Sequence, residues 1–200
     1  MVWGFDKGKK NTPEVFDVGH ETNKMNELQR TFIASTLDAF SFLEKEYGYQ
    51  RLPPIDNSAE DFRDANLIIR YIGYSIAIEI EWGYSAAAIV VAFTELLDGE
   101  FPQTRVFWGN SLGKARAIDI YTLVELNGGK TTDFLLGDIS LVSFSKVKNR
   151  EKIIQSKMEP ILQNLKDLCV KYASEVIGGD LSIFPSAMLY QQNKIEKRVF

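Results

Sequence analysis

The clearest alternation of apolar and polar positions lies between residues 156 and 177. Apolar residues recur there at steps of three and four, which places them on one stripe of an α-helix. Ser156 and Glu159 have the spacing of a capping box, and Pro160 can be accommodated in a first helical turn. The pattern therefore predicts a long helix from Ser156 to the glycines at 178 and 179. The alternative is a continuous helix from about Asn149, which Pro160 would kink. The stripe consists of Met158, Ile161, Leu162, Leu165, Leu168, Cys169, Tyr172 and Val176.

A second helical pattern extends from about Asn23 to Tyr47. Thr22 or Asn23 can cap its start, and Gly48 can end it. Pro53 and Pro54 then predict a connector, because two successive prolines interrupt both helices and central strands. The apolar positions of this first helix are Met25, Leu28, Phe32, Ile33, Leu37, Phe40 and Leu43.

The middle of the chain changes to the two-residue period of β-strands. Leu67–Ile72 and Ser75–Trp82, joined at Gly73–Tyr74, predict a hairpin with one face in solvent. Ala87–Leu96 predicts a third strand, and the three form an antiparallel meander. Residues 118–126 predict a short helix, and the alternative is a strand. Residues 134–144 predict a further strand that returns to the sheet. On the second strand, Ile76, Ile78, Ile80 and Trp82 share one face, and Ala77, Glu79 and Glu81 share the other.

This order of elements predicts an α+β fold, in which an antiparallel β-sheet packs against two long α-helices. We expect an irregular N-terminal arm over residues 1–21, a single domain over residues 22–190 and a frayed, charged tail over residues 191–200.

Composition narrows the class of protein. With 45% hydrophobic and 25% charged side chains, the 200 residues fit an ordinary globular protein. The net charge of -4 disfavours binding to nucleic acid. The longest apolar run, Ala86–Phe93, is too short to cross a membrane, and no secretory core follows the first lysines, so we expect a cytoplasmic protein. The single cysteine, Cys169, is expected to be a buried, reduced thiol.

Common motifs for binding phosphate, dinucleotide or zinc, and for nucleophilic hydrolysis, are missing, and we expect no cofactor. The single histidine, His20, excludes a site that needs two imidazoles from one chain. The strongest candidate for a chemical site is the pair Glu79 and Glu81. Both carboxylates lie on one side of a strand, where they could share a divalent cation with Asp64. The alternative is a solvated strand face, because an exposed face also needs polar residues in alternation.

The segment from Asp98 to Lys114 is rich in aromatic residues for a connector. Its side chains Phe101, Phe107 and Trp108 could anchor a protein partner, since aromatic residues dominate interface hot spots. The alternative is that they cover the core of the sheet, as large aromatics usually do.

Late in the chain, the sequence KYASEVIGGDLSIFP resembles a group of uncharacterised bacterial proteins in which a helix containing Tyr-Ala leads into a Gly-Asp-hydroxyl/apolar-Phe-Pro ending. The resemblance implies a bacterial cytoplasmic α+β domain and no catalytic role. The matching positions are Tyr172, Ala173, Gly179, Asp180, Ser182, Phe184 and Pro185.

Two functional hypotheses follow from the sequence. The first is a non-enzymatic protein-interaction domain, of an immunity-like or accessory kind, which binds a protein partner. This hypothesis is also compatible with a homo-oligomer. The second is a divalent-metal-dependent hydrolase that uses Glu79, Glu81 and Asp64.

Overall fold

The computed structural model of the chain describes residues 25–57, 66–83, 88–103, 105–106, 114–130 and 147–199.

The first helix begins with a capping box. Helix α1 spans Glu27–Ala39. The Asn26 side chain accepts a hydrogen bond from the Gln29 amide at 2.9 Å, and the Gln29 side chain accepts one from the Asn26 amide at 2.8 Å. Helix α2 spans Ser41–Tyr47 and ends at Gly48, whose φ of 71° is left-handed. The predicted single helix is thus two, and its cap is Asn26.

The sheet contains the predicted meander. The strands are β1 (Gln50–Arg51), β2 (Ile55–Asp56), β3 (Asn66–Ile72), β4 (Ile76–Gly83), β5 (Ala88–Glu95), β6 (Arg105–Val106) and β7 (Ala115–Asp119). Their order is β1-β3-β4-β5-β7-β6, and β2 also pairs with β3. The pairing is antiparallel except between β6 and β7, which are parallel. The predicted α+β fold with an antiparallel sheet is confirmed.

One face of the sheet forms the core with the helices. Ile78 lies opposite Tyr71 on β3 and Phe93 on β5, and all three side chains are buried. Helix α1 packs on this face, where the rings of Phe32 and Trp82 have their centroids 5.7 Å apart.

The long C-terminal helix starts earlier than its proline suggested. Helix α4 spans Val147–Tyr172 and contains Pro160, so the prediction of a start at Ser156 was wrong. The Ser156 hydroxyl donates a hydrogen bond to the Ile153 carbonyl within the helix and caps nothing. The proline is tolerated on the exposed side of α4. The helix ends at Tyr172, and a short helix α5, Ser174–Ile177, continues to the predicted stop at Gly178 and Gly179.

The predicted apolar stripe is the buried face of α4. Leu165 is fully buried and belongs to the same core cluster as Ile78 and Ile80. Helix α4 packs against α1, against β5 and against helix α3, which spans Ile120–Leu126. Cys169 is a free, buried thiol, as predicted, and burial raises its pKa.

The segment around residue 120 combines both predicted alternatives. Strand β7 ends at Asp119, whose carboxylate accepts a 2.7 Å hydrogen bond from the Thr122 amide and caps α3. The chain leaves α3 through Gly128, where φ is 72°.

A final helix was not predicted. Helix α6 spans Phe184–Val199, and its first-turn residue Phe184 is fully buried. The expected frayed tail over residues 191–200 is therefore helical as far as Val199. The helix is tied to α3, because the Lys194 ammonium pairs with the Glu125 carboxylate.

The expected arm over residues 1–21, His20 and the strand over residues 134–144 lie outside the described residues. In the part of the chain that the structure describes, no helix is long and apolar enough to cross a membrane.

Candidate functional site

The sheet face that carries Glu79 is buried. This second face, opposite the helices, includes Ala77, Glu79 and Thr94, which are 0%, 1% and 0% exposed. Ala92 beside Glu79 is also buried. The prediction that this hairpin face lies in solvent was therefore wrong. Strand alternation separates two faces, but it does not say whether a second layer covers one of them.

A buried ion pair occupies the second face. Arg70 and Glu79 lie directly opposite each other on β3 and β4. The Arg70 Nε and Nη2 atoms donate hydrogen bonds of 2.9 and 2.7 Å to Oε1 of Glu79. Burial lowers the pKa of Arg70. The geometry indicates a structural cross-strand pair whose charges are neutralised within the protein.

The neighbouring glutamate is also engaged. The Asn66 side-chain amide donates a 2.7 Å hydrogen bond to Glu81, and the Asn57 amide donates one of 2.7 Å to Asn66. This chain of contacts connects β4, β3 and the residue that follows β2.

These contacts bear on the metal-site hypothesis. Arg70 supplies Glu79 with the positive charge that a cation would supply, and Glu81 is bound to an amide. Asp64 lies outside the described residues. Among the residues that are described, no group of three histidines, cysteines or acidic residues is placed to hold a metal ion. The described geometry thus provides no feature that favours the hydrolase hypothesis.

Of the aromatic segment from Asp98 to Lys114, the structure describes residues 98–103, 105–106 and 114. Phe101 is partly buried, and the Arg70 guanidinium carbon lies 3.7 Å from its ring centroid. This is a cation–π contact that holds Phe101 against the second face. Phe107 and Trp108, the other two predicted anchors, lie outside the described residues.

A different aromatic residue is presented to solvent at the end of the sheet. Tyr74, in the turn between β3 and β4, is 99% exposed. Leu97, just after β5, is 42% exposed, and Tyr47, at the end of α2, is 40% exposed. We refer to Tyr47, Tyr74 and Leu97 as the turn surface.

The segments that carry the turn surface are held together by close contacts. The Gly73 amide donates a 2.9 Å hydrogen bond to the Ile76 carbonyl, and the Leu96 amide donates one of 2.9 Å to the Ser75 carbonyl. A Cβ atom on Gly73 would lie 2.7 Å from Cε1 of Tyr49, so only glycine fits against that ring. Tyr49 itself is buried and donates a 2.8 Å hydrogen bond to the Ile177 carbonyl. The turn is therefore fixed to both α5 and the segment after α2.

A pocket lies at the junction of α3, α4 and α5. Its volume is about 240 Å³. Leu123 lines it from α3 and Asn127 from the C-cap of that helix, Tyr172 from α4 and Glu175 from α5. The turn before α6 contributes Asp180 and Ser182. Three of these residues, Tyr172, Asp180 and Ser182, belong to the Tyr-Ala and Gly-Asp motif.

The remaining motif residues organise the chain around this junction. Ala173 is buried between α4 and α5, and Gly179 adopts a φ of 97° against the Ser75 hydroxyl. Asp180 accepts a 2.8 Å hydrogen bond from the Ser182 amide, and this contact lowers the pKa of its carboxyl group. Pro185 lies in the first turn of α6, where a proline is tolerated.

Comparisons with known proteins identify no relative of this chain. No family model, no curated protein and no solved structure matches it. The turn surface, the second face and the pocket are therefore the features of the molecule that bear on its function.

Proposed function

We propose that this protein is a non-enzymatic protein-interaction domain, of an accessory or immunity-like kind, which binds a protein partner through the turn surface. The observation that carries the proposal is the 99% exposure of Tyr74 on a backbone that the fold holds in place.

The chemistry of tyrosine suits an anchor. Its ring supplies a large apolar area, and its hydroxyl can bond to a partner, so tyrosine is enriched at interface hot spots. The contacts of Gly73 with Tyr49 and of Ser75 with Leu96 order the turn before any partner arrives. Pre-ordering supports binding because less conformational entropy is lost on association.

The charges beside the turn surface favour a basic partner. Asp98 and Glu100, which follow Leu97, are both exposed. The chain as a whole carries a net charge of -4. Complementary charge around an apolar anchor accelerates association and excludes acidic competitors.

A site-specific photo-cross-linker tests the proposal in cells of the source organism. A benzophenone amino acid is placed at position 74, and in a matched control at position 170, where Val170 is a 50% exposed residue on α4. We expect a discrete cross-linked protein from position 74 that is missing from position 170.

The cross-linked protein is then purified, and its affinity is measured by calorimetry. Tyr74→Ala should weaken binding by at least about 2 kcal/mol, the hot-spot threshold, without changing the melting temperature. Val170→Ala should change neither quantity. Equal affinity of the wild type and Tyr74→Ala would overturn the assignment of the turn surface as the binding site.

A further inference from the structure

The turn between β3 and β4 rests on the segment that joins α5 to α6. We refer to this segment, residues 178–183, as the α5–α6 linker. The Tyr49 ring lies against the turn, and its hydroxyl donates a 2.8 Å hydrogen bond to the Ile177 carbonyl, directly before the linker. The Ser75 hydroxyl donates a longer one, of 3.4 Å, to the Gly179 carbonyl inside the linker. The turn is thus fastened at two points to the end of α5 and the start of the linker.

Hydrogen bonds also tie the α5–α6 linker to the helices on either side. The Asp180 amide donates one of 3.0 Å to the Glu175 carbonyl in α5, and the Asp180 carboxylate accepts one of 2.8 Å from the Ser182 amide. The Phe184 amide, the first of α6, donates one of 3.1 Å to the Leu181 carbonyl. Because these bonds leave the linker little slack, it can transmit a displacement of α6 to α5.

Helix α6 is held to the rest of the fold by an apolar first turn and a polar second half. Phe184 is fully buried in the core. In the second half, the Gln191 side chain donates a 2.8 Å hydrogen bond to Asp119, and the Lys194 ammonium pairs with Glu125. Lys194 is 39% exposed, so its ion pair can be removed without opening the apolar core. The second half of α6 can therefore be loosened selectively.

We propose that the α5–α6 linker couples the turn surface to helix α6, so that the turn loses its order when α6 undocks. Where it concerns binding, this inference rests on the proposed function: a partner that needs the ordered turn binds only the docked form. By thermodynamic reciprocity, the bound partner then opposes the undocking of α6. Helix α6 thus controls whether the turn surface is available to its partner.

Amide hydrogen exchange, followed by NMR on the full chain without a partner, tests the coupling. The reporters are the Gly73 and Leu96 amides, whose hydrogen bonds of 2.9 Å close the turn. Both should exchange faster than the Ile80 amide on the interior strand β4, because the coupled opening is smaller than global unfolding. Exchange of all three amides at one rate would overturn the proposal.

Two variants in the second half of α6 supply the perturbation. Lys194→Met should accelerate exchange at the two turn amides about two- to fivefold, the effect of a partly exposed ion pair. Gln191→Met, which removes the contact with Asp119, should act in the same direction. The matched control is Lys166→Met, because Lys166 is 35% exposed and pairs with Asp167 on α4. Acceleration by the control, or none by either α6 variant, would contradict the coupling.

Breaking the link itself separates coupling from a general loss of stability. The double variant Tyr49→Phe/Ser75→Ala removes both hydroxyls that reach α5 and the linker, and it keeps the ring at position 49. Adding Lys194→Met to this background should no longer accelerate exchange at the turn amides. An undiminished acceleration would show that Lys194→Met acts through the stability of the whole fold, and the proposal would be wrong.

The partner recovered by cross-linking at position 74 supplies the binding test. At a free concentration of ten times its Kd, it should slow exchange of the Lys194 amide in α6 about tenfold, because only the docked form binds it. Protection limited to the turn would show that α6 opens independently, and would overturn the coupling while the proposed function stands. If no partner is recovered but the variants behave as expected, the proposed function fails and the coupling of α6 to the turn stands.

Discussion

Arg70 directs two of its nitrogen atoms, Nε and Nη2, at the same oxygen of Glu79, with distances of 2.9 and 2.7 Å. The Glu79 side chain is 1% exposed, and the Phe101 ring lies on the guanidinium. Breaking a buried pair by removing one partner is costly, because the remaining charge loses its compensation. The second face of the sheet should therefore be sensitive to the loss of Arg70.

We predict that Arg70→Met lowers the free energy of unfolding by about 3 kcal/mol, the lower end of the range for broken buried pairs, since the Arg70 side chain retains some exposure. Urea denaturation at neutral pH measures the loss. Arg51→Met is the control, because its contact with Glu44 is 3.7 Å long and the two side chains are 30% and 40% exposed, far more than Glu79. That change should cost less than about 1 kcal/mol. Equal losses for the two variants would show that burial of the Arg70–Glu79 pair does not increase its contribution to the free energy of unfolding.

A second ion pair should make stability depend on pH. Arg116 donates hydrogen bonds of 2.9 and 2.7 Å to the two carboxylate oxygens of Glu95, and these bonds hold the pKa of Glu95 below its ordinary value. Because the folded state favours the ionised form, the pair stabilises the protein above the ordinary glutamate pKa. That contribution is lost as the pH falls below this value and through the lowered pKa of the folded state.

We expect Glu95→Gln to cost about 1 kcal/mol at neutral pH, as for partly exposed pairs, and to reduce the loss of stability on acidification. The measurement is the free energy of unfolding in urea at several pH values between about 6 and about 3. Glu159→Gln, on the exposed side of α4, is the matched control. A wild-type pH profile in Glu95→Gln would contradict the assigned contribution.

Gly73 should tolerate no larger residue. A Cβ atom at this position would lie 2.7 and 2.8 Å from two carbon atoms of the Tyr49 ring, and the ring is fixed by its hydrogen bond to Ile177. Gly73→Ala should therefore cost about 1–3 kcal/mol, as overpacking does. At Gly83 the nearest described atom is 4.0 Å from the added Cβ, so Gly83→Ala should change stability by less than about 0.5 kcal/mol. Thermal unfolding of the two variants checks the difference, and a neutral Gly73→Ala would mean that the Tyr49 ring can move.

Local periodicity predicted much of the core. The stripe with Leu165 and Cys169 is buried, the meander β3-β4-β5 has the expected order, and Gly48 ends a helix in the left-handed conformation. These features depend on a side-chain period or on the conformational freedom of one glycine, and both can be identified from a few adjacent residues.

Near proline residues, the helix and strand boundaries predicted from the sequence were wrong. Pro160 suggested a helix start, yet α4 continues on both sides of it, because the packing of its apolar face against α1, α3 and β5 outweighs one lost backbone hydrogen bond. The two-residue strands β1 and β2 flank Pro53 and Pro54 and are too short to show a period; they exist because β3 offers them an edge for pairing.

The sequence by itself determined that Glu79 and Glu81 share a strand face, that the protein is acidic and that Gly73–Tyr74 form a turn. Only the tertiary structure decided that Glu79 is buried against Arg70. It also decided that Tyr74 is exposed at a turn fixed by Tyr49, and that Tyr172 and Asp180 line one pocket. The physical reason is that burial and pocket formation depend on residues distant in sequence, such as Tyr49 and Ile177, whose separation along the chain leaves no periodic signal.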